Sequence, residues 1–462
     1  MMPAHMPEVE HTLGTGWWTR IQVRLPGLTG TATRRRLARG AFWGGVGFAL
    51  ARGVTLAVSF VLARLLGQAG FGEYSMVNST AGMIGGMAGL GLGMTVMKHT
   101  AEFKSSDPAK ASRILALSSA ITWVSAIVYA GFLIVLAPWM ATRLLAAPQL
   151  APLLQISAIT VAFGVINSVQ TCSLTGCEAF RTNMFVGVSC SLWQSFLLMA
   201  GAWKWGLVGA VGGLAAGALT TVLITRWAVA REWRLLHLRL GWQDAWKEWR
   251  VLFEFSLPSF LSGMLLGPVL WACNAMLANQ EDGYLQLGIF NAANQWQQAI
   301  QFLPGLLGTA LLPILSEKCG QGDWRKSLVV MRKMMLIYAA IVLPLAALLS
   351  ICSPWIMRGY GESFLSGYWA LVFSVQTAAI FAIFVPTGQF LAASGRMWIG
   401  FCMNIGWAVA MLLASWWMVR WGAEGLAAAR MIAYLCHALW TLGYLYFLEQ
   451  RGKKAVDSNV SL

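Results

Sequence analysis

The chain is poor in charge. Only 11% of its residues are Asp, Glu, Lys or Arg, against 58% that are hydrophobic. A soluble protein of 462 residues would need far more ions to cover its surface. Acids are the scarcer sign, 18 against 33 Lys and Arg, and none lies deep in an apolar run; Glu73, Glu254 and Glu317 stand at run ends. That argues against a cationic cargo and against ion coupling through a membrane carboxylate. Histidine is nearly missing: of five copies, His5 and His11 lie near the start, His99 and His237 at run ends, and only His437 inside a run. No G-x-S-x-G, P-loop or H-E-x-x-H occurs, so enzyme readings fail on inventory. The eight Cys form no C-x-x-C and have no His at ligand spacing, so no metal and no cofactor is expected.

What the chain has in excess is apolar length. Runs of about 20 residues recur, each able to cross roughly 30 Å of hydrocarbon as a helix. The expectation is an all-α integral membrane protein with twelve spans, at 40–66, 72–98, 112–138, 150–175, 182–203, 205–228, 252–279, 285–315, 330–351, 364–390, 397–418 and 423–448. With the N-terminus inside, alternation puts 26 of the 33 Lys and Arg on the inner side. Four fall outside (Arg143, Lys204, Arg358, Arg420) and three within spans. Positive-inside asymmetry of this size places both termini in the cytoplasm. It also explains the net charge of +15: cations spread over the inner loops meet anionic headgroups, not nucleic acid. Residues 1–39 lack an apolar core ahead of a cleavage site and read as a cytoplasmic tail, as do 449–462. No outer loop exceeds about 15 residues, which leaves little room for an extracytoplasmic catalytic site.

The chain divides at residues 231–250, where Trp242, Trp246 and Trp249 fall at i, i+4, i+7 beside Lys247 and Arg250. This spacing suits an interfacial helix that joins a six-span lobe at 40–230 to a second at 251–448. The lobes echo each other. "FGEYSMVNS" at the start of span 2 resembles "LGIFNAANQ" at the start of span 8, setting Gly72 over Gly288 and Asn78 over Asn294. "QTCSLTG" closes span 4 as "QFLAASG" closes span 10, and the two offsets are 216 and 219. Six spans per copy imply a parallel repeat about an axis along the membrane normal.

Polar groups inside the spans mark the candidate path. Arg52 lies about twelve residues into span 1, roughly 18 Å deep, and Arg64 near the outer end, from where it can snorkel. Arg430 sits in span 12 with His437 seven residues below it, although Glu424 is also within its reach. Span 8 carries "NAANQWQQAIQF", in which Asn291, Asn294, Gln295 and Gln298 form i, i+3, i+4, i+7 and Gln301 extends the stripe. Such amides are costly against lipid, so they face other helices or water; their number favours a hydrated lumen. Neutral amides suit a glycan, and guanidinium suits a phosphate. Pro258 and Pro268 in span 7 and four Gly in span 1 (44, 45, 47, 53) are expected bending points, and the glycine-rich 82–93 segment a close-packing surface.

The stretch "ARLLGQAGFGEYSMVNSTAGMIGGMAGLGLGMTVMKHTAEF" (63–103) resembles the same region of bacterial polysaccharide flippases, the Wzx-type O-antigen translocases. It shows an "LG…FG.Y" turn, a Gly-rich span and a basic-then-acidic inner end, Lys98 and Glu102; span count, halves and basic linker agree over 40–448. The resemblance implies the multidrug/oligosaccharidyl-lipid/polysaccharide exporter superfamily. It implies a V-shaped pair of bundles related by a pseudo-two-fold, with a cationic cleft lined by spans 1, 2, 7 and 8. Having only one or two mid-membrane Arg departs from a strongly cationic cleft. The expected activity moves an undecaprenyl-pyrophosphate-linked oligosaccharide across a bacterial inner membrane by alternating access. Pyrophosphate would meet Arg52, aided by Arg430, and the glycan the amide stripe with Asn78, while the lipid tail stays in the bilayer. H+ or Na+ as coupling ion, and a polysaccharide polymerase and chain-length regulator as partners, are left open. The alternatives are an ion-coupled small-molecule exporter of the same superfamily and a non-transporting envelope scaffold.

Overall fold

The computed structural model describes the backbone of residues 31–104, 106–236, 241–251, 264–301 and 324–460, together with Ser256, Phe260, Leu311 and Leu315. Side chains are described from residue 42 to residue 450 within that set, 324–326 excepted. All regular structure among these residues is helical, as it must be where no water competes for backbone groups. In order, the helices are α1 (Thr31–Ala88), α2 (Leu92–Phe103), α3 (Pro108–Trp139), α4 (Ala151–Gly176), α5 (Phe180–Leu235) and α6 (Leu266–Ala278). There follow α7 (Gly283–Ile300), α8 (Trp324–Ile351), α9 (Ser353–Tyr360), α10 (Tyr368–Ala393), α11 (Met397–Met418) and α12 (Gly422–Val460). Among the described residues, seven helical stretches are long and apolar enough to cross a membrane.

Three of those stretches are too long for one crossing: Phe42–Ala88, Phe180–Leu235 and Met397–Gln450 run 47, 56 and 54 residues. At 1.5 Å per residue the longest would span about 80 Å if straight. Each is broken by a glycine with positive φ: Gly67 (71°), Gly206 (57°) and Gly422 (67°). Across Gly206 the chain reverses. Gly201 faces Gly209, Gly213 faces Leu197, and Gly217 faces Gln194, a register that only antiparallel arms produce. A Cβ at Gly201 or Gly209 would overlap the opposing carbonyl, so glycine is what lets the arms touch backbone to backbone. Trp193 Nε1 closes the hairpin further in by donating to Thr220 at 3.1 Å. Across Gly422, Gly406 lies against Trp440 and Thr441 donates to Met403 Sδ at 3.8 Å, again antiparallel. At Gly67 the chain doubles back too, since Phe60 and Phe71 both pack on the Tyr360 ring.

Several expectations need correction. Span 2 is not continuous: α1 ends at Ala88, Leu90 and Gly91 take positive φ, and α2 restarts at Leu92. The glycine-rich 82–93 segment is not a packing surface along its length either. A Cβ on Gly82, Gly85 or Gly86 would meet nothing within 4 Å; close approach is confined to Gly91 and Gly93, against Ser256 and Cys172. At the four glycines of span 1 the backbone keeps helical geometry, and α1 departs from it only at Gly67. Pro268 puts no kink within α6, which begins only at Leu266. It lies in the first turn of α6, where a missing N–H leaves no intrahelical bond unmade. Pro258, the rest of 257–263 and residues 302–310 lie outside the described residues, Phe260 apart.

The linker forms a 3-10 turn at Ala245–Glu248 and a short helical turn, Trp249–Val251. Arg113 pairs with Glu248 at 3.0 Å and Gly241 N donates to Ser112 O, which ties the linker to the start of α3. Trp242, Trp246 and Trp249 remain exposed. The largest buried cluster joins both halves of the chain, from Val58 and Phe71 to Phe290 and Leu426.

Candidate functional site

The amides of α7 divide between two faces, and each face holds an arginine. Asn294 and Gln297, at i and i+3, point toward α12, where Arg430 Nη1 donates to Asn294 Oδ1 at 2.7 Å and to Gln297 Oε1 at 3.0 Å. The same guanidinium lies 4.7 Å from the centre of the Phe290 ring, one turn before Asn294. Arg430 is only 4% exposed. Its partners are a π-face and neutral oxygens; its bonds go to α7 rather than to Glu424. His437 is not drawn into this cluster and packs edge-on against Trp440.

Gln295 faces the other way, toward α1. Arg52 Nη2 donates to the Gln295 backbone carbonyl and to its Oε1, the latter at 3.0 Å. This contact links helices 243 positions apart and joins the two halves of the chain. Among the described residues the Arg52 Nε–H has no partner, so the guanidinium keeps an unused donor there. A second polar bridge between the halves lies on α6: Asn274 Nδ2 donates to Ser79 Oγ at 3.1 Å and Trp271 Nε1 to Thr80 Oγ1 at 2.9 Å. Asn78, beside Ser79, is exposed, as is Gln298. Asn291 turns its amide back onto its own helix, donating to Leu287 O at 2.9 Å, and Gln301 sits half-buried at the helix end. Arg64 stands apart from Arg52 and donates through Nε to Gly359 O at 2.9 Å.

The structure therefore brings together Arg52 with Gln295, and Arg430 with Asn294, and separates Arg64 and His437 from both. Two participants were missed in the sequence. Gln297 lies beside the 291–294–295–298 stripe, and its i+3 spacing from Asn294 was the available signal. Asn274 stood as one amide in an apolar run, with nothing nearby to single it out. As chemistry, the arrangement offers an interhelical guanidinium with a spare donor, flanked by neutral amides and hydroxyls. It suits a phosphate oxygen and hydroxyl-rich groups better than a cation.

The family described as polysaccharide biosynthesis protein matches residues 37–318. The EPS I polysaccharide export inner membrane protein EpsE of Ralstonia nicotianae is 27% identical over 414 residues, covering 86% of this chain and 91% of its own length. Among solved structures, an inward-facing multidrug resistance MATE family transporter of the MOP superfamily superposes with a TM-score of 0.70 at 16% identity, covering 86% of this chain and 95% of its own. The lipid II flippase MurJ gives 0.66 at 13% identity, covering 87% of each chain. Those two likenesses establish the fold shared with this chain, a multi-pass membrane transporter fold.

Proposed function

We propose, because this chain belongs to the polysaccharide biosynthesis protein family, that it is a flippase for an undecaprenyl-pyrophosphate-linked oligosaccharide of a surface or exported polysaccharide. The observation that carries this reading is Arg52, a half-buried guanidinium between α1 and α7 whose partner is the neutral Gln295. Export of polysaccharide by the relative EpsE supports the cargo class. In this proposal the path lies between two six-span lobes, 40–230 and 251–448, in the bacterial inner membrane, with both termini cytoplasmic. The two arms of α1, the two arms of α5, α3, α4, α6, α7, α8, α10, α11 and α12 supply the twelve spans. Pyrophosphate displaces Gln295 from Arg52, gaining charge-assisted bonds that the amide cannot match. The glycan then runs along Asn78, Ser79 and Gln298.

Arg430 takes a different part from the one its position in the sequence suggested. Buried, and bonded through Nη1 to Asn294 and Gln297 with its guanidinium near the Phe290 ring, it positions α7 so that Gln295 faces Arg52. A cationic-drug exporter is less well supported, because none of the 18 acids lies deep within an expected span to receive such a cargo.

The test is complementation in a bacterium whose copy is deleted. The intact chain restores surface polysaccharide. Arg52→Ala leaves lipid-linked repeat units on the cytoplasmic leaflet and lowers polysaccharide at least tenfold, and Arg52→Lys restores it only in part, since an ammonium has no fork. Normal polysaccharide in the deletion strain, with lost drug tolerance, would overturn the proposal.

A further inference from the structure

At the end of the molecule remote from both termini, the contacts between the two halves come in matched pairs. A Cβ placed on Gly72 would overlap the carbonyl of Tyr284, and one placed on Gly288 would overlap the carbonyl of Gln68. Gly288 lies 216 positions after Gly72, and Tyr284 lies 216 after Gln68. Each glycine thus meets in the other half the counterpart of the residue four positions before itself. Only a two-fold axis passing between the two glycines makes such a contact. A second pair surrounds it: Arg64 Nε donates to Gly359 O at 2.9 Å, and Asn279 Nδ2 donates to Leu144 O at 2.7 Å. Donor and acceptor both shift by 215 positions from one bond to the other. Different side chains make the two bonds, yet each crosses from one half to a backbone carbonyl of the other.

We propose that Gly72 and Gly288 form the outer gate of the transport path. In this gate the second arm of α1 and the start of α7 close backbone against backbone, with the Arg64 and Asn279 bonds as straps on either side. Closure has to be tight without being strong. Glycine supplies tightness, because carbonyl and Cα pack where a side chain would hold the helices apart. Weakness follows from the inventory: these gate contacts are backbone van der Waals contacts and side-chain-to-carbonyl hydrogen bonds, and among the described residues no ion pair holds the two glycines or the two straps. The polar residues Asn78, Ser79 and Gln295 lie on the same two helices, six to seven residues further in, about 10 Å. Separation of the glycine pair therefore opens these residues to the outer side. The proposal rests on the transporter reading for the path itself, but its test needs no cargo.

The full chain carrying Asn78→Cys is produced in cells and exposed to a membrane-impermeant maleimide from outside. Labelling of the parent chain, with its eight native cysteines, is subtracted. Adding Gly72→Ala or Gly288→Ala wedges the gate, and each raises labelling several-fold and to a similar degree. Gly82→Ala, whose Cβ meets nothing within 4 Å, leaves labelling unchanged. Equal labelling in all four chains at matched membrane levels overturns the gate, and a rise with only one of the two glycines overturns its symmetry. Should the glycine variants fail to reach the membrane, Arg64→Gln with Asn279→Ala removes both straps without a clash. That pair also raises labelling, and unchanged labelling there overturns the proposal. Normal polysaccharide export from the Arg52→Ala chain, with gate labelling responding as stated, would instead count against the cargo assignment alone.

Discussion

A guanidinium at 4% exposure with only neutral partners sets the energetics of the C-terminal half. Arg430 cannot shed its proton to escape burial, and its solvation comes from Asn294, Gln297 and the Phe290 face. Removing Asn294 and Gln297 together as Leu leaves the charge without hydrogen-bond acceptors, at a cost of about 3 kcal/mol or more. Removing Arg430 alone as Leu orphans two neutral acceptors, at about 1–3 kcal/mol. The triple replacement removes charge and acceptors at once and is therefore the most stable of the three variants. Thermal unfolding of purified protein in detergent checks this order, and a triple variant melting below the Asn294/Gln297 double variant would refute it. That the amides of 291–301 form a polar stripe on one helix was legible from their spacing. That Asn294 and Gln297 bond one arginine and Gln295 another was not, because a single sequence carries no record of which helices stand on either side of α7.

The helix ends show the same division between what spacing determines and what packing decides. The break between the fifth and sixth expected spans falls at Trp205–Gly206 in the structure, where "KWG" interrupted the apolar run. The register of the two arms was also latent in the sequence, since Gly209, Gly213 and Gly217 recur at i, i+4, i+8 and meet the facing arm. The break at 89–91 was hidden, because an apolar, glycine-rich run reads as one continuous span. Its cause is tertiary: Gly91 sits against Ser256, and Thr95 Oγ1 and Ser256 Oγ lie 2.6 Å apart, so α2 is positioned by a segment over 150 residues away. The α5 hairpin yields a sharp prediction. Gly209→Leu drives a side chain into the Gly201 carbonyl and disrupts the hairpin, cutting the amount of folded protein recovered from membranes several-fold. Gly212→Leu, three residues on but with open space around its Cβ, is tolerated. Fluorescence-detected size exclusion of tagged chains separates these outcomes, and equal recovery of the two variants would show that the close approach is dispensable.

At the scale of the whole molecule, contacts rather than composition link the ends of the chain. Gly67, at the first reversal, lies between Arg64, which reaches Gly359, and Gly72, which abuts Gly288. Gln286 on the same helix start accepts from Ala423 N at 3.0 Å, beside the Gly422 reversal. The first and last reversals therefore share one end, and α1 and α12 carry the two termini to the other. Two short motifs repeat at offsets of 216 and 219, and two pairs of contacts between the halves are related by offsets of 216 and 215. With the expected spans, 26 Lys and Arg fall on the side of the termini and four on the other, and on this charge asymmetry we propose that the terminal side is cytoplasmic. Anionic lipids and the membrane potential both oppose moving that many cations outward. A fluorescent protein fused after Leu462 is therefore expected to fold and glow in the cytoplasm, whereas alkaline phosphatase fused after Glu281 is active in the periplasm. Phosphatase activity at the C-terminus, or a lack of it at 281, would invert the assignment. The gate at Gly72 and Gly288 would then face the cytoplasm and admit cargo rather than release it.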